Sequence, residues 1–131
     1  MNYPVNPGIE PIIREYIECR ERSLYFGKMK IDAEKEYNKL LIRYNGEEKH
    51  YSLDHANQIY KAYCDMISYG DESAVAHERF MASEEKLREI GRILFEATIT
   101  AEIAMAPPLN GEQQGTRTVR VSWNNGQVMV N

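Results

Sequence analysis

A chain of 131 residues is the size of one domain, and 43% hydrophobic with 27% charged residues is the composition of a globular core, not of a disordered or fibrous segment. The formal net charge of -4 is too small to mark an acidic tail or a mimic of nucleic acid, so charge alone selects no partner. Two cysteines, Cys19 and Cys64, each inside a helix-like pattern, with no basic-then-apolar leader ahead of them, predict an intracellular, cytoplasmic, reduced protein.

Residues 1–8 place two prolines and a glycine before the first periodic segment and are expected to form an extended arm. Pro11 suits the first turn of a helix, and Ile9, Ile12, Ile13, Tyr16, Ile17 and Leu24 then line one face against Arg14, Glu15, Glu18, Glu21 and Arg22, predicting a helix over 10–25 that ends before Gly27. Residues 39–53 admit two readings. In one, Asp32 caps a helix with Tyr37, Leu40, Leu41 and Tyr44 on its face and Asn45 and Gly46 at its end; in the other, residues 39–44 pair with 49–53 as a hairpin. Agreement of start signal, stop signal and period favours the helix.

Ser52 or Asp54 opens a further helix with Ala56, Ile59, Tyr60, Tyr63, Met66 and Ile67 on its apolar side, closing at Gly70. A short helical stretch is expected over 74–81, and Ser83 with Glu84 and Glu85 makes a suitable start for a long helix over 83–106. From Ile93 onward that segment is apolar almost all round, interrupted only by Glu96 and Glu102, and it suggests the centre of a bundle or a subunit interface. Ala97, Ile99, Ala101, Ile103 and Met105 also alternate with period two, as in a strand. With no Gly, Pro, Asn or Asp between Arg92 and Ala106, the continuous helix is preferred, stopped by Pro107 and Pro108. Two glutamates and two prolines within residues 93–109 argue against a membrane span.

Residues 109–115 read as a polar connector. Val119, Val121 and Trp123 then alternate with Thr118, Arg120 and Ser122, and Asn124, Asn125 and Gly126 turn the chain into Gln127 to Asn131, predicting a β-hairpin over 116–131. The whole is expected to be a single α+β domain, mainly helical, of four to five helices and a C-terminal hairpin.

Of the candidate metal ligands Cys19, His50, His55, Cys64 and His77, none forms a paired motif, so no metal or cofactor is expected. Cys64 reads as a small buried hydrophobe beside Tyr60 and Tyr63. Glu84, Glu85 and Glu89 could hold Mg²⁺ for phosphate chemistry, but Lys86, Arg88 and Arg92 among them are those of an ordinary solvated face; Glu96 and Glu102 are expected to meet arginines from another helix. No nucleophile motif or glycine-rich phosphate loop occurs, and no catalytic residue is assigned. Arg117, Arg120 and Trp123 on the hairpin are the nearest approach to a nucleic-acid face; Lys28, Lys30, Lys35, Lys39 and Arg43 are diluted by Asp32, Glu34 and Glu36.

All nine tyrosines fall within the first 69 residues, and tyrosine combines apolar area with a hydroxyl that tolerates partly wet interfaces. The function expected is that of a non-enzymatic binding protein of adaptor or inhibitor type, acting as a homo-oligomer, with Tyr60 and Tyr63 toward a protein partner. One alternative is an oligomer binding a small anionic ligand such as a nucleotide through Arg88, Arg92, Arg117, Arg120 and Trp123. The other is a Mg²⁺-dependent phosphohydrolase using Glu85 and Glu89.

Overall fold

A computed structural model describes residues 8–44, 51–105 and 115–131. Two long helices, α1 (Glu10–Tyr44) and α2 (Leu53–Leu94), precede three strands, β1 (Ala97–Ala104), β2 (Thr116–Asn124) and β3 (Gln127–Val130), which form one antiparallel sheet in the order β1-β2-β3. The α+β, mainly helical class is therefore correct. The expected four to five helices are not: two long ones take their place. The early arm and most of the 109–115 connector lie outside the described residues, as does the expected helix end at Asn45 and Gly46.

Two glycines and Ser83 account for the difference. Gly27 and Gly70 carry the signal of a helix end, yet both stand inside continuous helices, and space is open where a Cβ would stand on either. A helical glycine costs about 1 kcal/mol relative to alanine, which a long, cooperatively propagated helix absorbs. Residues 39–44 are helical, as the favoured reading of that region has it. Ser52 starts α2 as expected: its Oγ accepts the His55 amide at 3.2 Å and its carbonyl accepts the Ala56 amide at 3.0 Å. Ser83 does not start a helix. It lies mid-helix, almost fully buried, with its hydroxyl donating to the Phe80 carbonyl at 2.7 Å.

The second correction concerns residues 97–104, which form β1 and not the second half of a helix. The β-branched Thr98, Ile99, Thr100 and Ile103 favour an extended backbone, and pairing with β2 satisfies the peptide groups while burying alternate side chains. The register sets Ile99 opposite Val121, Ala101 opposite Val119 and Ala97 opposite Trp123. The hairpin over 116–131 has the expected form, with Trp123 opposite Val128 and Asn124 opposite Gln127. Asn125 and Gly126, at φ 57° and 80°, give the left-handed pair that a tight two-residue hairpin turn requires.

By internal contacts the chain divides into two compact units. The first comprises Met1–Arg22 with His77–Asn131, the second Ser23–Ala76. The first unit has a core of Ile13, Tyr16 and Ile17 from α1, Leu87 from α2, and Ile103, Met105, Val119, Val121 and Trp123 from the sheet and its margin. Trp123 is 2% exposed, and its Nε1 donates to the Leu87 carbonyl at 2.9 Å. Gly91 makes that fit possible, since a Cβ there would stand 2.8 Å from Trp123 Cδ1 and 2.8 Å from the Gly126 carbonyl oxygen. The Gly126 amide in turn donates to the Phe95 carbonyl at 3.1 Å, joining the hairpin turn to the bend after α2. Within the stretch expected at a subunit interface, Ile103 is fully buried by its own unit, whereas Ile93 and Phe95 are exposed.

The described part of the second unit contains α1 from residue 23 and α2 up to residue 76. Here the two helices run antiparallel: the tilted rings of Tyr37 and Tyr63 meet with centroids 5.8 Å apart, and one cleft of about 450 Å³ is lined by Met29, Asp32 and Leu40 from α1 and by Tyr69, Asp65 and Gln58 from α2. Its buried apolar side chains are Phe26, Leu40, Ala62 and Ala76.

Candidate functional site

A pair of helices covers one stripe on each and leaves the opposite stripes to water. In the unit Ser23–Ala76 those outer stripes are not polar. On α1, Leu24, Ile31 and Ile42 are all at least half exposed. Leu24 and Ile31 are about two turns apart and Leu24 and Ile42 about five, so the three form one row along the helix. Lys28, Lys35 and Asn38, also exposed, fill the same row.

On α2, Leu53, Tyr60, Ile67 and Val75 are exposed by 79%, 69%, 46% and 48%. Their spacings of seven, seven and eight keep them on one side of the helix, and Cys64 and Asp71 fall between them. The inward positions of the same segment are Ile59, Ala62, Met66 and Tyr69, each buried or half-buried. The single apolar side expected for this helix is therefore two: Ile59 and Met66 turn in, while Ala56, Tyr60 and Ile67 turn out.

The predicted site residues fall in separate places. Tyr60 is on the outer row of α2, whereas Tyr63 is partly turned toward Tyr37. Cys64, expected to be buried, is exposed. A hydrogen bond to Cys64, one turn further along the helix, raises the pKa of the Tyr60 hydroxyl above its ordinary value. Cys19, in the other unit, behaves as a partly enclosed thiol. Burial pushes its pKa up, Glu15 adds to the shift, and a hydrogen bond with Ser83 opposes it.

The arginines proposed for an anionic ligand are not gathered. Arg117 points to the helix side of β2 and binds Glu21 at 2.6 Å; Arg120 lies on the opposite, solvent side of the sheet. Arg88 is engaged by Glu84 and Glu85 one turn before it, and Arg92 is exposed in the last turn of α2. Trp123, enclosed in the core, presents no ring face to a ligand or a base. Glu96 and Glu102 are both exposed, and β1 places Glu102 on the outer side of the sheet opposite Thr118, where water meets the need for a partner helix. Among the described residues no group of three or more His, Cys, Asp or Glu is placed to hold a metal ion, and no helix is long and apolar enough to cross a membrane. His50 lies outside the described residues.

The outer row of α1 escapes a reading of the sequence because a helix ended at Gly27 leaves Leu24 without a phase relation to Ile31 and Ile42. Their periodicity is legible once α1 is continuous. The chain matches no protein-family model, and no curated protein or solved structure is similar to it at a significant level.

Proposed function

We propose that this chain acts by docking to protein surfaces, as a non-enzymatic, homo-oligomeric binding protein of adaptor or inhibitor type, and that the helical unit Ser23–Ala76 carries the docking surface. One observation supports the reading: both helices of that unit carry an exposed apolar row on the side away from their mutual contact. Apolar area left in water is a cost to the isolated fold and a gain on binding, and contiguous patches of this kind mark interaction sites. Tyrosine and isoleucine on a helix face supply area without a buried charge to desolvate.

The test is retention of protein partners, the chain's own copies included, on immobilised protein, comparing the natural sequence with a Tyr60→Ala, Ile67→Ala double variant. Both side chains are exposed, so the variant keeps its fold, which its far-ultraviolet circular dichroism verifies. Loss of the retained protein is expected. Undiminished retention of every partner by the folded variant would remove this surface from the function.

A further inference from the structure

The two outer rows differ in charge as well as in place. On α1 the row Leu24, Lys28, Ile31, Lys35, Asn38, Ile42 contains two cations and no carboxylate; on α2 the row Leu53, Tyr60, Cys64, Ile67, Asp71, Val75 contains a carboxylate and no cation. They also match in register. The contact of the Tyr37 and Tyr63 rings, with Leu40 and Gln58, and Met29 and Tyr69, lining one cleft, fixes the level at which the antiparallel helices of this unit face each other. Counting outward from that pair, and to within about two residues' rise, Leu24 is level with Val75, Lys28 with Asp71, Ile31 with Ile67, Lys35 with Cys64 and Asn38 with Tyr60. Leu24 and Ile31 fall opposite apolar residues and Lys28 opposite an aspartate, while Ile42 and Leu53 lie beyond the matched stretch.

From this we infer that the occupant of these rows is a second copy of the chain: the outer row of α1 on one copy packs antiparallel against the outer row of α2 on the next. The inference rests on the docking role proposed above and names its partner. A neighbour displaced sideways with almost no axial shift brings every matched pair together and continues the antiparallel alternation already present inside the unit. Each contact joins two different surfaces. It is therefore heterologous, and repetition closes a ring or extends a row; it does not stop at a two-fold dimer. The lysine and aspartate fix the register, because a slip of one turn replaces the Lys28–Asp71 contact with a charge facing an apolar or neutral side chain.

Sedimentation velocity over a concentration series, with matched charge reversals, tests it. The natural sequence is expected to form species larger than a dimer. Lys28→Asp and Asp71→Lys should each weaken assembly roughly tenfold or more, equivalent to about 1.4 kcal/mol. An equimolar mixture of the two variants should reassemble, because the aspartate introduced in one then meets the lysine introduced in the other, while the reverse contact keeps the natural pair. A direct readout follows from Lys35→Cys, which under mild oxidant should give a disulfide-linked ladder through Cys64 of adjacent copies. A natural chain that stays monomeric at every concentration, a closed dimer indifferent to both reversals, or a mixture that fails to reassemble would each overturn the inference. Should a monomeric chain still need Tyr60 and Ile67 to retain a foreign protein, self-association fails and the docking role stands; if those substitutions are silent as well, both fail.

Discussion

The two units of this chain use the same helices for opposite purposes. Where α1 and α2 accompany the sheet, most of their apolar side chains are enclosed, Met81 and Ile93 of α2 being the large exposed ones among the described residues. Ile13, Ile17 and Leu87 are buried against Ile103, Val119, Val121 and Trp123, and even a peptide carbonyl of α2 is taken up by the indole N–H. Between residues 23 and 76 the same two helices have, among the described residues of that unit, mainly each other, and Leu24, Ile42, Leu53 and Tyr60 stand in solvent. A third layer therefore decides whether a helix face becomes core or contact surface. The apolar content is similar in both places; the availability of something to cover it is not.

This contrast can be broken most directly at Trp123. Replacement by alanine removes a large ring from the closed core and takes the indole donor from the Leu87 carbonyl, and is expected to cost about 3–5 kcal/mol in urea denaturation followed by circular dichroism. A loss below about 1 kcal/mol, the range of an exposed substitution, would show that the first unit is no more tightly packed than the second.

Gly91 gives the next largest effect. A methyl group there gains helix propensity but would meet the Gly126 carbonyl and Trp123 at 2.8 Å, and backbone at that distance cannot yield without moving the hairpin turn. Gly91→Ala is expected to lower stability by about 1–3 kcal/mol in the same measurement. Stabilisation would mean that the turn is free to shift.

The smallest effect sharpens the comparison by having the opposite sign. Gly27→Ala and Gly70→Ala add a methyl group inside a helix with nothing within 4 Å. Each is expected to raise stability by about 0.5–1 kcal/mol, read as a higher thermal midpoint. One substitution type would thus destabilise the first unit and stabilise the second.

Much of the fold is legible in the sequence. The hairpin is, because Asn125 and Gly126 meet a stringent backbone requirement between two alternating runs; the start of α2 is, because Ser52 offers a capping oxygen. What is not legible depends on distant partners. Residues 97–104 satisfy both periods locally, and only pairing with β2, brought in from more than a dozen residues away, decides between them. Gly27 and Gly70 signal an ending that the flanking helix overrides. The candidate site follows the same pattern. Composition points to Tyr60, but Ile31 and Ile42 come into phase with Leu24 only when α1 is continuous, and Arg117 and Trp123 are occupied by Glu21 and by the core.

Trp123 is the sole tryptophan in the chain, and it lies in the first unit. Its fluorescence is consequently an optical probe of that unit alone, shielded from water and sensitive to any loosening around Leu87. Far-ultraviolet ellipticity, by contrast, comes mostly from helices that run through both units. Were the two signals to decay at different denaturant concentrations, their separation would measure directly how far the sheet-bearing unit outlasts the purely helical one.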